Sequence, residues 1–138
     1  MYQHQTSVRV RYSETDQMGF VYYGVYAAYF EVARVEALRS LGCSYRQLEE
    51  NGILMPVTRF HINYLKPALY DDVLLIETSV NEIPAARINF NYNTYSGAGV
   101  LLNTASTELV FLTKSSMRPT KSPMSIRQAL SAYFADGI

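Results

Sequence analysis

The sequence has one cysteine, Cys43, and no tryptophan in 138 residues. A single thiol cannot close an internal disulfide, so packing alone must hold the fold, and a reducing, cytoplasmic setting is expected. There are only two histidines, His4 and His61, and they lie far apart. One Cys and two His do not make a structural zinc set, and no metal is expected. Charge of either sign is not in excess, since 12 Lys and Arg balance 12 Asp and Glu. That balance leaves no basic footprint for nucleic acid and little repulsion between copies of the chain, which favours self-association. No apolar run approaches the roughly 18 residues of a membrane span, and MYQHQTSVRVRY lacks the apolar stretch of a signal peptide, so neither membrane nor secretion is expected. Also missing are GxxxxGK[ST], GxGxxG and GxSxG, which removes the common nucleotide-binding loops and the serine nucleophile elbow.

What the chain does have is aromatic surface, twelve Tyr and six Phe. Tyr offers a large ring with a polar tip and is common in cores and at subunit interfaces. The length fits one domain, residues 1–138. Residues 6–12 alternate, with Val8, Val10 and Tyr12 against Ser7, Arg9 and Arg11, the period of a half-buried strand. The polar stretch from Ser13 to Gly19 breaks that period as a loop. A long helix is predicted over 22–41, where Tyr22, Tyr26, Tyr29, Phe30, Ala33, Ala37, Leu38 and Leu41 recur three or four apart and Gly42 ends the run. A second, short helix over 44–50 starts from Ser44 as N-cap and stops at Gly52. Four strands follow, 57–65, 73–81, 87–95 and 100–113, separated by Pro67, Asp71-Asp72, Pro84 and Gly97-Ala98-Gly99. In the first of them Thr58, Phe60, Ile62 and Tyr64 share one face, and Arg59, His61 and Asn63 the other. A short helix over 125–134 closes the chain. This order predicts an α+β fold with about five strands in one sheet, antiparallel because the connections are too short for helical crossovers.

Asp16 is the carboxylate with a mechanism open to it. It lies in the loop ahead of the long helix, and a helix start presents unpaired N–H groups able to hold a developing oxyanion. A carboxylate beside them could attack a carbonyl or activate a water. The residues alone leave this open against the plainer reading of Asp16 as a turn or cap residue. Cys43 has no histidine near it in sequence and is expected in the core.

The stretch Arg11-Tyr12-Ser13-Glu14-Thr15-Asp16-Gln17-Met18-Gly19-Phe20-Val21-Tyr22-Tyr23 resembles the opening motif of the 4-hydroxybenzoyl-CoA thioesterase family, which includes the YbgC and FadM-like acyl-CoA thioesterases. The likeness continues through Tyr26, Phe30, Glu31 and Arg34. Further on, Tyr64-Leu65-Lys66-Pro67-Ala68 followed by Asp71-Asp72 is similar to the family's second signature. The resemblance spans residues 6 to about 113. It implies a hotdog fold, a curved antiparallel sheet wrapped around the long helix, with two copies joined into one continuous sheet as a homodimer, often doubled to a homotetramer. It implies an acyl-CoA thioesterase that needs no cofactor beyond the coenzyme A of its substrate, with Asp16 as nucleophile or general base.

By the same resemblance Tyr23 matches the position whose backbone N–H polarises the thioester carbonyl, with the N–H of Gly24 as a weaker second donor. Many relatives have a small residue or asparagine next, where this chain reads Gly24-Val25. The acyl pocket is expected to draw on Tyr22, Tyr26 and Phe30 of the helix and on Met55, Val57, Arg59, His61 and Asn63 across the dimer. Core packing is the alternative reading for each of them. Lys66 and Arg87 are the candidates for the coenzyme A phosphates, or else solvated strand-end charges; the arginine pair that some relatives carry is replaced by Ile83-Pro84-Ala85-Ala86 and then Arg87. Glu31 and Arg34 are expected to be structural. Two other functions stay open, an acyl carrier protein thioesterase and a non-catalytic acyl-CoA-binding protein of the same fold.

Overall fold

The computed structural model describes residues 1–134; the last four residues of the expected domain lie outside the described residues. In chain order the elements are β1 (Tyr2–Arg9), α1 (Tyr26–Ser40), α2 (Tyr45–Glu50), β2 (Ile53–Leu54), β3 (Val57–Tyr64), β4 (Val73–Val80), β5 (Arg87–Tyr95), β6 (Leu101–Val110), β7 (Leu112–Thr113), β8 (Arg118–Pro119) and α3 (Met124–Ser131). Five strands form one antiparallel sheet in the order β1-β4-β5-β6-β3, and β2, β7 and β8 form a small second sheet.

The long helix lies on one face of the large sheet, in the hotdog arrangement. Its buried residues, Tyr26, Tyr29, Phe30, Ala33, Arg34, Ala37 and Leu38, recur three and four apart as one stripe. The sheet meets them with alternate residues, among them Leu74 and Ile76 on β4, Phe90 and Tyr92 on β5, and Leu109 on β6. Phe30 stacks on Tyr92 with centroids 4.5 Å apart. Arg34 is buried within this stripe; its Nε donates to the Tyr45 hydroxyl at 3.0 Å and its Nη1 to that of Tyr92 at 3.5 Å. It makes no ion pair with exposed Glu31, so its role is in the core. Cys43 is also buried, as expected, and burial pushes its thiol pKa up.

Four elements differ by three residues or more from the sequence reading, and the last helix is one, ending at Ser131 rather than 134. The first strand runs 2–9 rather than 6–12, because Tyr2, His4 and Thr6 continue the inward face in polar disguise; Tyr2 is buried, with its hydroxyl bonded to the Ala37 carbonyl and Ser40. Tyr12, expected inward, is 80% exposed, since the chain leaves the sheet at Val10 and turns over 12–14. The helix starts at Tyr26 rather than Tyr22: Tyr22 is extended, residues 23–25 make a 3-10 turn, and no side chain caps the start at Val25. The last strand breaks at Phe111, which is fully buried, and the chain changes sheets there. The apolar run Leu109-Val110-Phe111-Leu112 carries no period that could mark that break.

The sheet order holds one more surprise. β3 pairs with β6 rather than with β4, so residues 65–72 cross from one edge of the sheet to beside β1. Short connections therefore did not mean neighbouring strands here. That crossing carries the second signature, and it becomes one wall of the site.

Candidate active site

The loop before the helix is a small hairpin. Its base is the Tyr22 N–H donating to the Glu14 carbonyl at 2.9 Å, its middle is the bridge between Thr15 and Val21, and its top is the Asp16 N–H donating to the Phe20 carbonyl at 2.8 Å. Gly19 closes the tip at φ +82°, a left-handed conformation costly for other residues. Asp16 thus stands on one arm, and the residues leading into the helix form the other. The Asp16 Oδ1 accepts from the amides of Met18 at 2.9 Å and Phe20 at 3.2 Å. This is an Asx-type turn, so the plainer reading of Asp16 was correct for one of its two oxygens. The other has no partner among the described residues.

The donor arm is organised by its carbonyls. The peptide unit that carries the Tyr23 N–H has its carbonyl, that of Tyr22, bonded to the Val25 amide at 2.9 Å. The next unit, carrying the Gly24 N–H, has its Tyr23 carbonyl bonded to the Tyr64 hydroxyl at 3.0 Å. Because C=O and N–H point opposite ways across a trans peptide, holding both carbonyls aims both N–H groups away from the fold. Among the described residues neither N–H has an acceptor. Two unpaired, fixed donors at a helix start suit a developing negative charge on oxygen.

The crossing segment completes the cleft. The Val21 N–H donates to the Ala68 carbonyl at 2.9 Å, and Phe20 bridges to Leu69, so the hairpin docks along residues 68–69. Ala68 is buried beneath it. Asp72 holds the turn beyond: its carboxylate accepts from the Leu69 amide at 2.9 Å. The result is an open cleft of about 300 Å³ lined by Asp16, Met18, Phe20, Val21, Tyr23, Tyr26, Tyr64, Leu65, Lys66 and Pro67. Tyr26 is buried at its floor, and burial, then the neighbouring Tyr64, push its hydroxyl pKa up to about 12. The cleft is therefore apolar in body, with the Asp16 carboxylate and the Tyr23 residue on one side and the Lys66 ammonium at the rim.

A family model described as the thioesterase superfamily matches residues 18–102. The chain belongs to that superfamily. It is a family of thioester hydrolases, as the sequence motif implied, although Asp16 itself lies two residues ahead of the matched stretch. The acyl-CoA thioester hydrolase YbgC of Escherichia coli is 33% identical over 119 residues, covering 86% of this chain and 89% of that protein. The acyl-CoA thioesterase YbgC of Haemophilus influenzae is 33% identical over 88% of this chain and 90% of its own length. Among solved structures, a DHNA-CoA thioesterase from Staphylococcus aureus superposes with a TM-score of 0.92 at 34% identity, over 98% of this chain and 93% of that one.

Within this thioesterase fold the expected site residues separate into two groups. Asp16, Tyr23, Tyr26 and Lys66 meet at the cleft, with Gly24 beside them. The Tyr22 ring is turned outward onto Tyr23 at 4.8 Å and over Gly24, and does not line the cleft. Phe30 is fully buried against Tyr92, so in the single chain it is core. Arg59, His61 and Asn63 project from the sheet face opposite the helix; His61 and Asn63 line a shallow recess there with Asn91 and Thr104. Met55 and Val57 precede them at the far end of β3 from Tyr64. Arg87 is also at that far end, and its Nη1 is paired with Glu108 at 3.1 Å. None of these six reaches the cleft of its own chain.

Two residues outside the expected set organise the site. Tyr64 was read only as part of a strand face and a signature; its hydroxyl contact with the helix start is a tertiary event with no local signal. Glu14 did have a signal, a carboxylate three residues after Arg11. It is 8% exposed, and both of its oxygens are fully engaged. Burial pushes its pKa up, but the Arg11 side chain, the Arg11 amide and the Tyr29 hydroxyl together outweigh burial and leave it below its ordinary value. Among the described residues no group of three or more His, Cys, Asp or Glu converges as a metal site, and no helix is long and apolar enough to cross a membrane.

Proposed function

We propose that this chain hydrolyses an acyl-CoA thioester in the cleft beside Asp16. The observation that carries the reading is that a carboxylate with one unpartnered oxygen and the unpaired N–H of Tyr23 stand on the two arms of one hairpin and line the same cleft, with the N–H of Gly24 next along the chain. The thioester carbonyl would sit between them. Either Asp16 would attack it, giving an anhydride that a water then cleaves, or Asp16 would deprotonate a water that attacks; the amides would take the negative charge on oxygen, and as the C–S bond breaks coenzyme A would leave as a thiolate that takes up the proton released by the water. Lys66 at the rim suits a phosphate, and the apolar floor of Tyr26 and Tyr64 suits an acyl group. The names of the two YbgC relatives, at 33% identity over most of both chains, support the substrate class. This chemistry needs no metal or redox cofactor.

A second copy would complete the cleft. β3 is an edge strand whose helix-facing residues remain open, Phe60 at 41% and Tyr64 at 48% exposure. An exposed apolar edge is a template for pairing. Antiparallel pairing of β3 with its own copy would bring the second copy's Met55 and Val57 beside this chain's Tyr64, and its Arg87 towards Lys66. Of the residues missing from the single-chain cleft, Met55, Val57 and Arg87 would then approach it, while Arg59, His61 and Asn63 stay on the opposite face. The test is turnover of an acyl-CoA panel, from short aliphatic to aromatic, followed by thiol detection, with Asp16→Asn alongside and the mass in solution measured. Full turnover by Asp16→Asn removes the catalytic assignment, and full activity of a monomer removes the shared site.

A further inference from the structure

We propose that Glu14 is the positioning residue of the site, a clamp that sets the acid arm of the hairpin against the donor arm. The inference rests on the catalytic reading of Asp16 and the Tyr23 amide. Glu14 joins three segments. Its Oε1 accepts from the Arg11 amide at 2.8 Å and the Tyr29 hydroxyl at 2.8 Å, and its Oε2 from the Arg11 Nε and Nη2 at 2.9 and 2.7 Å. Its backbone carbonyl receives the Tyr22 amide at 2.9 Å. The side chain therefore fixes Glu14 to the helix and to Arg11 at the start of the turn after the first strand, while the main chain fixes Tyr22 to Glu14. Asp16 is two residues beyond one end of that last bond, and Tyr23 is one residue beyond the other. Any shift of Glu14 moves the carboxylate and the donors relative to each other.

The geometry is costly, and closing the local turn does not require it. A carboxylate at 8% exposure is expensive to bury, and four hydrogen bonds are what keep it charged there. A neutral capping side chain would close the same turn at less cost. A charge suits the position because charge-assisted bonds are shorter and stiffer than neutral ones, and a misplacement of about 1 Å at a reacting centre can cost about a hundredfold in rate.

The experiment compares Glu14→Gln, Tyr29→Phe, the double variant and Asp16→Asn with wild type. The probe is benzoyl-CoA, or hexanoyl-CoA if wild type turns that over faster, and rates are scaled to the folded fraction. Glu14→Gln should lower kcat by about 10- to 100-fold with KM changed by less than about threefold. Tyr29→Phe, which leaves the Arg11 contacts in place, should lower kcat less and in the same direction. The double variant should be no worse than Glu14→Gln alone, because both cut one clamp. An unchanged kcat per folded molecule with only a lower melting temperature overturns the proposal, as does a raised KM at constant kcat. If Glu14→Gln does not fold, Tyr29→Phe decides alone by the same criteria. Loss of activity in Asp16→Asn together with wild-type kcat in the clamp variants sinks the clamp and keeps the catalytic reading. Wild-type turnover by Asp16→Asn, or inactivity of wild type on both probes, sinks both.

Discussion

The two arms of the hairpin are held by different means. The acid arm, residues 14–16, is fixed by side chains: Glu14 by Arg11 and Tyr29, and Asp16 by accepting two amides of its own turn. The donor arm, residues 22–24, is fixed through carbonyls, and its own side chains point outward, Tyr22 at 48% and Tyr23 at 63% exposure. A negative charge has to be supplied by a particular side chain, whereas a hydrogen-bond donor is present in every peptide unit except proline. The acid arm should therefore be intolerant of substitution, and the donor arm tolerant at its own positions but sensitive at the residue that aims it.

The largest break in this contrast is expected at Asp16. Asp16→Asn keeps an oxygen for the Met18 and Phe20 amides, so the turn survives while the base or nucleophile is lost. Thiol-release kinetics should show kcat/KM down by about 10²–10⁴, with an unchanged melting curve.

Next in size is the charge on Glu14. Its pKa lies below the ordinary value, so the folded state holds it ionised more strongly than the unfolded chain does. Its contribution to stability is then fully present above the unfolded carboxyl pKa of about 4.3 and is lost as pH falls through the lower folded value. Denaturant unfolding should find wild type about 2 kcal/mol more stable than Glu14→Gln at pH 7, the scale of a hydrogen-bonded charge. The gap should close on acidification. A gap that widens with acid would mean that the carboxylate is not the stabilised form.

Smaller again is the aiming residue of the donor arm. Tyr64→Phe frees the Tyr23 carbonyl and lets the Gly24 amide swing, for the loss of one bond worth about 1 kcal/mol. A fall of about tenfold in kcat with little change in KM is expected from initial-rate measurements. A pure KM effect would place Tyr64 in substrate binding instead.

The smallest change is the sharpest test of the contrast. Tyr23→Phe or Tyr23→His alters an exposed side chain and leaves its N–H in place, so kcat/KM should stay within about threefold. A hundredfold loss would show that the Tyr23 hydroxyl takes part, and the two arms would no longer differ in kind.

How much of this was legible depends on the range over which each feature is decided. The stripe from Tyr26 to Leu38 and the alternation of Ile88, Phe90 and Tyr92 are local periods, and both reached the core as expected. Ser44 as an N-cap is also local, and its Oγ accepts from the Gln47 amide at 3.1 Å. The start of α1 was misplaced because Tyr22 continues the aromatic spacing although its backbone has already left helical geometry. Phe30 fits the same spacing as Tyr26, yet one is sealed against Tyr92 of β5 and the other meets Tyr64 at the end of β3 and floors the cleft, a difference made by which strand each ring packs on.

By itself the sequence determined the element types, the α+β class and the motif that names the family, because strand and helix periods and a run such as Ser13-Glu14-Thr15-Asp16 are written in neighbouring residues. Tertiary structure alone decided that β3 crosses to pair with β6 and that Lys66 and Tyr64 arrive at the hairpin, and it also set which peptide units at the helix start are left unpaired. The physical reason is that a side chain's chemistry is local, but the direction of an N–H and the company a carboxylate keeps are set by chain segments tens of residues away.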